Sequence, residues 1–429
     1  MVTILLVAFT ALLAITVPLA AAMGVSASIA LAIDGSIPLF VVVQRMFAGA
    51  DSFVLLAVPF YILAGNLMES AGISERLVNL ARTIVGHIRG SMGMVTVVAE
   101  YFFSGISGST AADVSAIGAL LIPAMRRVGY TAKQAVAIVS AATAMGALVP
   151  PSVGMIVLAA IMEISVGALF LSGFLPAAVI SLVIMLLIYY QARRAGLAVD
   201  PRASLRQLSK AMREASLALL MPVIIFGGIF SGLTSATEAG AVACWYALGV
   251  GMFVYRTIKW RDLADIVIKT GLLTGAVMFL VATATIFSWL LVTQQVPQRL
   301  GALVFSVSRE PIPFLVMVSL VFMILGGLLE GIPAMIILVP IFMPLAQQAG
   351  VNALHFALIV YTAVSIGLFL PPFGIGILLA SALGKISMEE ATPAFVPYLI
   401  ALCIGLALVI AVPWFTLVLP QAFGISVGR

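Results

Sequence analysis

The chain has 429 residues, 63% of them hydrophobic and only 9% charged, whereas soluble domains are nearer half apolar and a quarter charged. At about 20 residues per crossing, the apolar material suffices for about ten to twelve membrane spans, which excludes a receptor with a single anchor. The net charge of +5 is small, so its distribution matters more than its sum. We expect an all-α polytopic membrane protein.

The first predicted element is a membrane span over residues 1–22. Its Ala-rich end resembles a secretory signal, but the first basic residue is Arg45, so the charged start of a signal peptide is missing. We therefore interpret this segment as the first span and not as a cleaved leader.

Residues 73–89 are predicted to form an amphipathic helix at the membrane interface. Charged residues lie off an apolar stripe at helical spacing, which consists of Ile73, Leu77, Leu80, Ile84 and Ile88. A weaker counterpart with a proline and two arginines lies at residues 294–309. An ordinary loop helix is the alternative for both.

Residues 91–129 are predicted to form a re-entrant hairpin. Two apolar stretches, each too short to span, are joined by a Ser/Gly-rich tip at 104–113 that contains Ser107 and Ser109. Non-helical backbone at membrane depth persists only where protein buries it or where it lines a wet cavity. Half-helix ends at such a tip can hold a cation and an anion side by side. The alternative is a Ser/Gly face for helix packing.

The segment 131–162 is predicted to be a helix broken by the tandem prolines Pro150 and Pro151. Because the second proline donates no amide hydrogen, carbonyls near Gly146 should be freed as hard oxygen ligands for a small cation. A kink that binds nothing is the alternative.

A basic linker at 191–213 divides the chain and is predicted to be cytoplasmic, because positive charge concentrates on that side of a membrane. It carries Arg193, Arg194, Arg202, Arg206, Lys210 and Arg213. The basic groups at 126–133 and 256–261 fall on the same side when the spans between them are counted.

An internal repeat relates the two halves. Shifted by 221 residues, positions 120–160 align without a gap with 341–381, and 12 of the 41 pairs are identical, including both tandem prolines. The first copy has Arg126 and Arg127 where the second has uncharged Gln347 and Gln348, so we expect the copies to have opposite orientations.

The repeat predicts two domains of one architecture. The first inverted repeat covers 1–190 and the second 214–429, the latter with a hairpin at 311–350 and a broken helix at 352–384. Ten crossings and two re-entrant hairpins result, with both termini outside.

Acidic residues in apolar surroundings are costly and are candidates for function. The shift places Glu330 in the second tip, at the position of Ser109. Asp113 could cap its half-helix or contribute to a cation site, and Glu100 could pair within its own hairpin. Glu238 is the fourth candidate.

Motifs for ATP binding, zinc proteolysis and dinucleotide binding are missing: no GxxxxGK[ST], HExxH or GxGxxG following a strand occurs. We therefore expect a transporter driven by an ion gradient and not an enzyme.

Four segments together resemble the large membrane subunit of tripartite ATP-independent periplasmic (TRAP) transporters, the DctM-like family. They are the tip Gly105-Ile-Ser-Gly-Ser-Thr-Ala-Ala-Asp113, the two tandem-proline segments, and Gly228-Ile-Phe-Ser-Gly-Leu-Thr-Ser-Ala-Thr-Glu-Ala-Gly-Ala-Val242. The resemblance covers essentially the whole chain. One departure is Ser235-Ala236, where the family usually has a proline before Thr-Glu.

The resemblance implies a sodium-driven elevator transporter in the bacterial inner membrane. It would import an organic acid, either a carboxylate or a sugar acid, with a small four-helix membrane subunit and a periplasmic substrate-binding protein. Sodium ions would be the coupling ions, and no organic cofactor is implied.

The resemblance also implies site residues. The sodium ligands would be Ser107, Ser109, Gly146, Val149 and Pro150 at the first tip, Gly327, Gly331, Gly367 and Leu370 at the second, and Asp113 at a further site. The substrate would lie near Ser109, Ser152 and Glu330. A carboxylate at Glu330 repels an anionic substrate unless sodium, a proton or a substrate hydroxyl mediates.

Two rival functions stay open. A stand-alone sodium-coupled dicarboxylate or anion symporter would share the hairpins but need no binding protein. A channel or a membrane enzyme belongs to a different class, and saturable, strictly sodium-dependent uptake would exclude a channel.

Overall fold

The computed structural model describes residues 1–107, 109–196, 201–329 and 331–425, except for the side chains of Ile106, Ser107 and Val307. Every regular element in these ranges is helical, which confirms the all-α part of the predicted fold class. The first half is built from α1 (Val2–Ala14), α2 (Leu19–Asp34), α3 (Phe40–Ala50), α4 (Ala57–Ser70), α5 (Ile73–Val85), α6 (Ser91–Ser107), α7 (Thr110–Arg127), α8 (Ala132–Gly146), α9 (Val153–Met162) and α10 (Val166–Ala195). The second half contains α11 (Leu205–Phe230), α12 (Ala236–Gly249) with a π-helical turn (Val250–Val254), α13 (Asp262–Thr293), α14 (Val296–Val307), α15 (Pro311–Leu329), α16 (Gly331–Gln348), α17 (Ala353–Gly367), α18 (Ile375–Gly384), α19 (Met388–Ala411) and α20 (Trp414–Ala422).

The internal repeat is visible in the helix boundaries. Moved by 221 residues, α7 and α8 begin and end at the same residues as α16 and α17. The bounds of α6 and α9 agree with those of α15 and α18 to within one residue. The two halves therefore share a hairpin followed by a helix that is interrupted at its tandem prolines.

Local signals at equivalent positions start the broken helices. Thr131 caps α8 by accepting the backbone N–H of Gln134, while its counterpart Asn352 caps α17 by accepting the N–H of Leu354. Gly129 and Gly350 precede these caps with φ of +103° and +73°, a backbone region that favours glycine. The turn between hairpin and broken helix is thus encoded twice.

We expected residues 1–22 to form one span, but the structure divides this segment between two helices. The helix α1 ends at Ala14 and α2 begins at Leu19, directly after Pro18. Proline lacks an amide hydrogen and disfavours helical backbone in the residue before it, so the chain turns here despite its continuous apolar character.

The predicted amphipathic helix is α5, which packs against α6 and α11. Ile73, Leu77 and Leu80 are fully buried, as the stripe predicts. Ile84 is an exception because it is 37% exposed, and the neighbouring Val85 is buried in its place. Its predicted counterpart corresponds to α14.

Seven helices in the described ranges are long and apolar enough to cross a bilayer. They are α10, α11, α12 with its π-helical turn, α13, α15, α16 and α19. Both arms of the second hairpin, α15 and α16, are among them, with 19 and 18 residues. The re-entrant course of the two hairpins stays a prediction. The count of ten crossings stays a prediction.

The predicted linker 191–213 is largely helical. The helix α10 continues to Ala195, and α11 begins at Leu205 after a capping box formed by Ser204 and Gln207. The cytoplasmic location of this segment stays a prediction.

The hairpins and broken helices of the two halves pack into one core. Within each half, the hairpin contacts its own broken helix, α6 and α7 against α8, and α15 and α16 against α17. Across the halves, α7 contacts α18, and α9 contacts α16. This exchange brings both tips and both helix breaks into the same region of the molecule.

Candidate functional site

The first hairpin tip lies directly against the first helix break. A Cβ atom added to Gly105, near the end of α6, would lie 2.5 Å from the carbonyl oxygen of Pro150 and 3.2 Å from Val149. A Cβ on Gly146, the last residue of α8, would lie 3.1 Å from the Cβ of Ser104. A side chain at Gly105 would force the tip or the break to shift, so the backbones of tip and break are in contact.

The second tip repeats this contact with its own break. A Cβ added to Gly327 would lie 2.7 Å from the carbonyl oxygen of Gly367 and 3.8 Å from the Cβ of Leu370. A Cβ on Gly331, the first residue of α16, would lie 3.2 Å from the Val364 side chain. Three residues predicted as second-site ligands, Gly327, Gly367 and Leu370, are therefore brought together, while Gly331 lies against Val364 of α17.

The helix breaks expose fewer free carbonyls than we expected. The Gly146 carbonyl accepts the N–H of Val149 at 2.7 Å, and the Gly367 carbonyl accepts the N–H of Leu370 at 2.9 Å. A tight turn forms before each proline pair and takes up one lone pair of each carbonyl. A carbonyl oxygen has two lone pairs, so each can still accept a second ligand.

The predicted first-site residues occupy distinct places around the tip. Ser107 is the last residue of α6, and Ser109 is the exposed N-cap of α7 with extended backbone. Asp113 lies in the first turn of α7 and is 1% exposed. Glu330 lies outside the described residues. The roles assigned to these residues stay predictions.

A buried polar cluster joins the first hairpin to the broken helix. Ser104 of α6 donates a hydrogen bond of 2.6 Å to the Asp113 carboxylate of α7. Thr143 of α8 donates to Glu100 Oε1, while Glu100 Oε2 is buried without a hydrogen-bond partner among the described residues. The expectation that Glu100 pairs within its own hairpin is wrong, because its partner comes from α8.

A second polar contact crosses between the halves. Ser152 is the N-cap residue of α9 and is 5% exposed, and its hydroxyl lies 2.5 Å from the Tyr361 hydroxyl of α17. Tyr361 was not identified from the sequence, because an aromatic residue on an apolar helix carries no local signal of this pairing. The contact attaches the first helix break to the second broken helix.

Glu238 does not lie in the buried core that contains the helix breaks. It is exposed in the first turn of α12, where its carboxylate accepts the backbone N–H of Ser235 at 2.7 Å, and Ser235 Oγ accepts the Glu238 N–H. This capping box explains the acidic residue. Ser235 thus starts the helix within the pair Ser235-Ala236, where the sequence departs from the family pattern.

The polar atoms of this region are oxygens of carboxylates, hydroxyls and backbone carbonyls. Among the described residues, no group of three or more His, Cys, Asp or Glu side chains is placed to hold a metal ion. The possible ligands in the described core are two carboxylates, several hydroxyls and the carbonyls of two helix breaks. These donors suit a weakly bound monovalent ion more than a tightly held transition metal.

Comparison with known proteins identifies relatives over most of the chain. The model of the family described as "Tripartite ATP-independent periplasmic transporter, DctM component" matches residues 6–415. The sialic acid TRAP transporter large permease protein SiaM of Vibrio cholerae is 39% identical over 380 residues, 89% of each chain. The C4-dicarboxylate TRAP transporter large permease protein DctM of Pseudomonas aeruginosa is 37% identical over 382 residues, 89% of this chain and 90% of the relative.

Solved structures share the fold at low identity. The YdaH transporter of Alcanivorax borkumensis has a TM-score of 0.59 and 17% identity, and the match covers 90% of this chain and 88% of that one. MtrF of Neisseria gonorrhoeae has a TM-score of 0.59 and 15% identity, with 87% and 83% covered. The chain is thus a multi-pass membrane transporter subunit and not an enzyme, and it belongs to the DctM family of large permease proteins of TRAP transporters.

Proposed function

We propose that this chain is the large permease subunit of a sodium-driven tripartite importer of an organic acid. The observation that carries the proposal is the doubled contact between tip and break, Gly105 against Pro150 and Gly327 against Gly367. Two places, one in each half, where helix ends meet in a buried core can each hold a cation at carbonyl oxygens.

One sodium ion binds at the first tip, where Ser107, Ser109, Gly146, Val149 and Pro150 are its ligands. The second binds where Gly327, Gly331, Gly367 and Leu370 meet. The Asp113 carboxylate contributes to a further cation site. The support for this assignment is the proximity of these backbones, together with the second lone pair of each turn carbonyl.

The substrate is an organic acid that binds between the two tips. The printed names of relatives include sialic acid, C4-dicarboxylate and 2,3-diketo-L-gulonate, each of which carries a carboxylate. Ser109 is exposed at the start of α7, where a helix N-terminus attracts an anion. Ser152 and Glu330 complete the substrate site. Because the Ser152 hydroxyl is hydrogen-bonded to the Tyr361 hydroxyl, the substrate displaces the Tyr361 hydroxyl when it binds.

Transport proceeds by an elevator movement between two inverted repeats. The hairpins α6–α7 and α15–α16 and the broken helices α8–α9 and α17–α18 form the mobile part. The amphipathic helices α5 and α14 and the outer spans form the scaffold in the bacterial inner membrane. The exchange of contacts between α7 and α18 and between α9 and α16 supports one mobile body.

The scaffold holds a small four-helix membrane subunit, and a periplasmic binding protein delivers the substrate. The isethionate TRAP transporter permease protein DctMQ of Oleidesulfovibrio alaskensis supports the first partner. It is 35% identical over 402 residues, and the match covers 94% of this chain but only 63% of the longer relative. The remaining length leaves room for a second membrane component in that protein.

Uptake into proteoliposomes tests the proposal. The chain is reconstituted with the small subunit and the binding protein encoded beside it, and uptake of labelled organic acids is measured with an inward gradient of sodium or of potassium. We expect saturable uptake only with sodium. Ser109→Ala abolishes it, whereas Ser115→Ala, an exposed serine of the same helix that bonds its own backbone, leaves it intact.

Two results would contradict the proposal. Equal uptake in sodium and potassium would show that sodium is not the coupling ion. Normal uptake by Ser109→Ala would show that Ser109 is not needed at the first site. Uptake that needs sodium but proceeds without any binding protein would favour the stand-alone symporter.

A further inference from the structure

A basic cleft, separate in its lining residues from the hairpin tips, lies where the start of α5 meets α11 and the end of the π-helical turn. It has a volume of about 420 Å³, and its polar lining consists of Arg76, Lys210, Arg213, Glu214 and Tyr255. We propose that this cleft binds the phosphate headgroup of an anionic phospholipid in the cytoplasmic leaflet. The proposal does not depend on the transported substrate.

The charge of the cleft favours an anion. Three cationic side chains face one carboxylate, so two positive charges are in excess. The pair between Lys210 Nζ and Glu214 Oε1 is 3.9 Å long and both side chains are well exposed, so the lysine is only weakly neutralised. A phosphate group would satisfy several of these donors at once.

Arg76 is held in place within this cleft. Its Nη1 donates to the Gly72 carbonyl at 3.1 Å, and its guanidinium lies 3.7 Å from the centre of the Tyr255 ring. The Tyr255 hydroxyl donates in turn to the Glu214 carbonyl of α11 at 3.3 Å. Both hydrogen bonds described for Arg76 use Nη1, so its Nη2 and Nε donors are available to a phosphate.

The surroundings indicate a lipid and not a soluble phosphate. Arg213, Leu217 and Leu220 follow one another at i, i+4 and i+7, so a single face of α11 changes from basic to apolar. Leu220 is 41% exposed, and Val254, at the end of a candidate span, is 58% exposed. Acyl chains can cover this apolar surface while the headgroup remains at the basic end.

The position along the membrane normal agrees with this assignment. The basic linker and the group at 256–261 are both predicted to be cytoplasmic, and the cleft is lined by the end of the linker and by Tyr255, which directly precedes that group. Trp260 is 78% exposed close by, and tryptophan is enriched at membrane interfaces. Basic pockets between spans on this side bind anionic headgroups such as those of cardiolipin. A bound lipid would join α5 to α11.

Lipid titration of the purified chain in a neutral detergent tests the proposal. The thermal midpoint is measured against added phosphatidylglycerol, cardiolipin, phosphatidylcholine or inorganic phosphate, and an apparent Kd is fitted. We expect saturable stabilisation by the two anionic lipids, little effect of phosphatidylcholine, and weakening as ionic strength rises.

Three variants locate the effect. The double variant Lys210→Gln/Arg213→Gln should bind phosphatidylglycerol about 30-fold more weakly, as two lost basic contacts at a membrane surface imply. The matched control Arg202→Gln/Arg206→Gln removes the same charge from exposed positions before the cleft and should retain the wild-type Kd. The charge-preserving variant Lys210→Arg/Arg213→Lys should also bind and keeps the test decisive if the glutamine variant fails to fold.

Several outcomes would overturn the proposal. Equal stabilisation by phosphatidylcholine shows that the lipid effect does not depend on headgroup charge. An equal loss in the control pair shows that overall charge, not the cleft, attracts the lipid. Stabilisation by inorganic phosphate without any by phosphatidylglycerol identifies a soluble anion site instead.

Discussion

Replacing Gly105 with alanine should separate the first hairpin tip from the first helix break. The added Cβ would lie 2.5 Å from the Pro150 carbonyl oxygen and 3.3 Å from the carbonyl carbon. Both are backbone atoms of a segment that is itself buried, so neither can move aside as the end of a flexible side chain would.

The size of the effect follows from this distance. To reach an ordinary van der Waals separation of about 3.5 Å, the tip must retreat by roughly 1 Å. Overpacking of this kind costs about 1–3 kcal/mol, and the better helix propensity of alanine offsets up to about 1 kcal/mol of it. The net loss of stability should therefore be modest. A binding site tolerates displacements of only about 0.5 Å, so sodium affinity should fall at least about tenfold.

Sodium-dependent thermal stabilisation measures both quantities. The midpoint of unfolding is recorded for the purified protein as sodium replaces potassium at constant ionic strength, and the midpoint without sodium reports the packing cost. Gly275→Ala is the matched control, because that helical glycine has open space where the Cβ would lie. An unchanged sodium dependence in Gly105→Ala would refute the assignment of the first site.

Three further substitutions test the polar contacts and the amphipathic helix. Thr143→Val removes the described hydrogen-bond donor of the buried Glu100 carboxylate and should lower the free energy of unfolding in detergent by about 1–3 kcal/mol. Tyr361→Phe should cost a similar amount by leaving Ser152 unpaired, and adding Ser152→Ala should restore part of it in a double-mutant cycle. Leu77→Ala should lower the free energy of unfolding by about 2–5 kcal/mol because this side chain is fully buried on the inner face of α5. An effect below about 1 kcal/mol would contradict its place in the core.

The backbone features of the fold were the most predictable from sequence. Prolines and glycines act locally, so Pro150 and Pro371 marked the helix breaks without knowledge of their neighbours. The same local chemistry explains a failure: Pro18 was given less weight than the apolar run around it, and the chain turns there. Hydrophobicity sets how much chain is buried, whereas proline sets where helices end.

The side-chain contacts of the site were much less predictable. Glu100 and Thr143 are 43 residues apart in sequence, and Ser152 and Tyr361 are 209 residues apart. Helical periodicity predicts contacts only between residues a few positions apart, so it could not indicate these pairs. Glu238 was misjudged because an acid in an apolar region is equally typical of a capping box, which its serine three residues earlier could have indicated. Acidity alone does not distinguish a binding site from a helix start.

The two hairpins share their backbone conformation, but their buried polar side chains differ. Under the 221-residue shift, Gly146 corresponds to Gly367 and Pro150 to Pro371, so the oxygen atoms of the turns are repeated. The buried polar residues of the first hairpin are not, because Glu100 corresponds to a valine and Asp113 to an alanine. Backbone carbonyls carry no net charge, whereas a buried carboxylate must be balanced by a cation or a proton. The two proposed cation sites therefore differ in where the sequence places their acids, which are Glu100 and Asp113 in the arms of the first hairpin and Glu330 at the tip of the second.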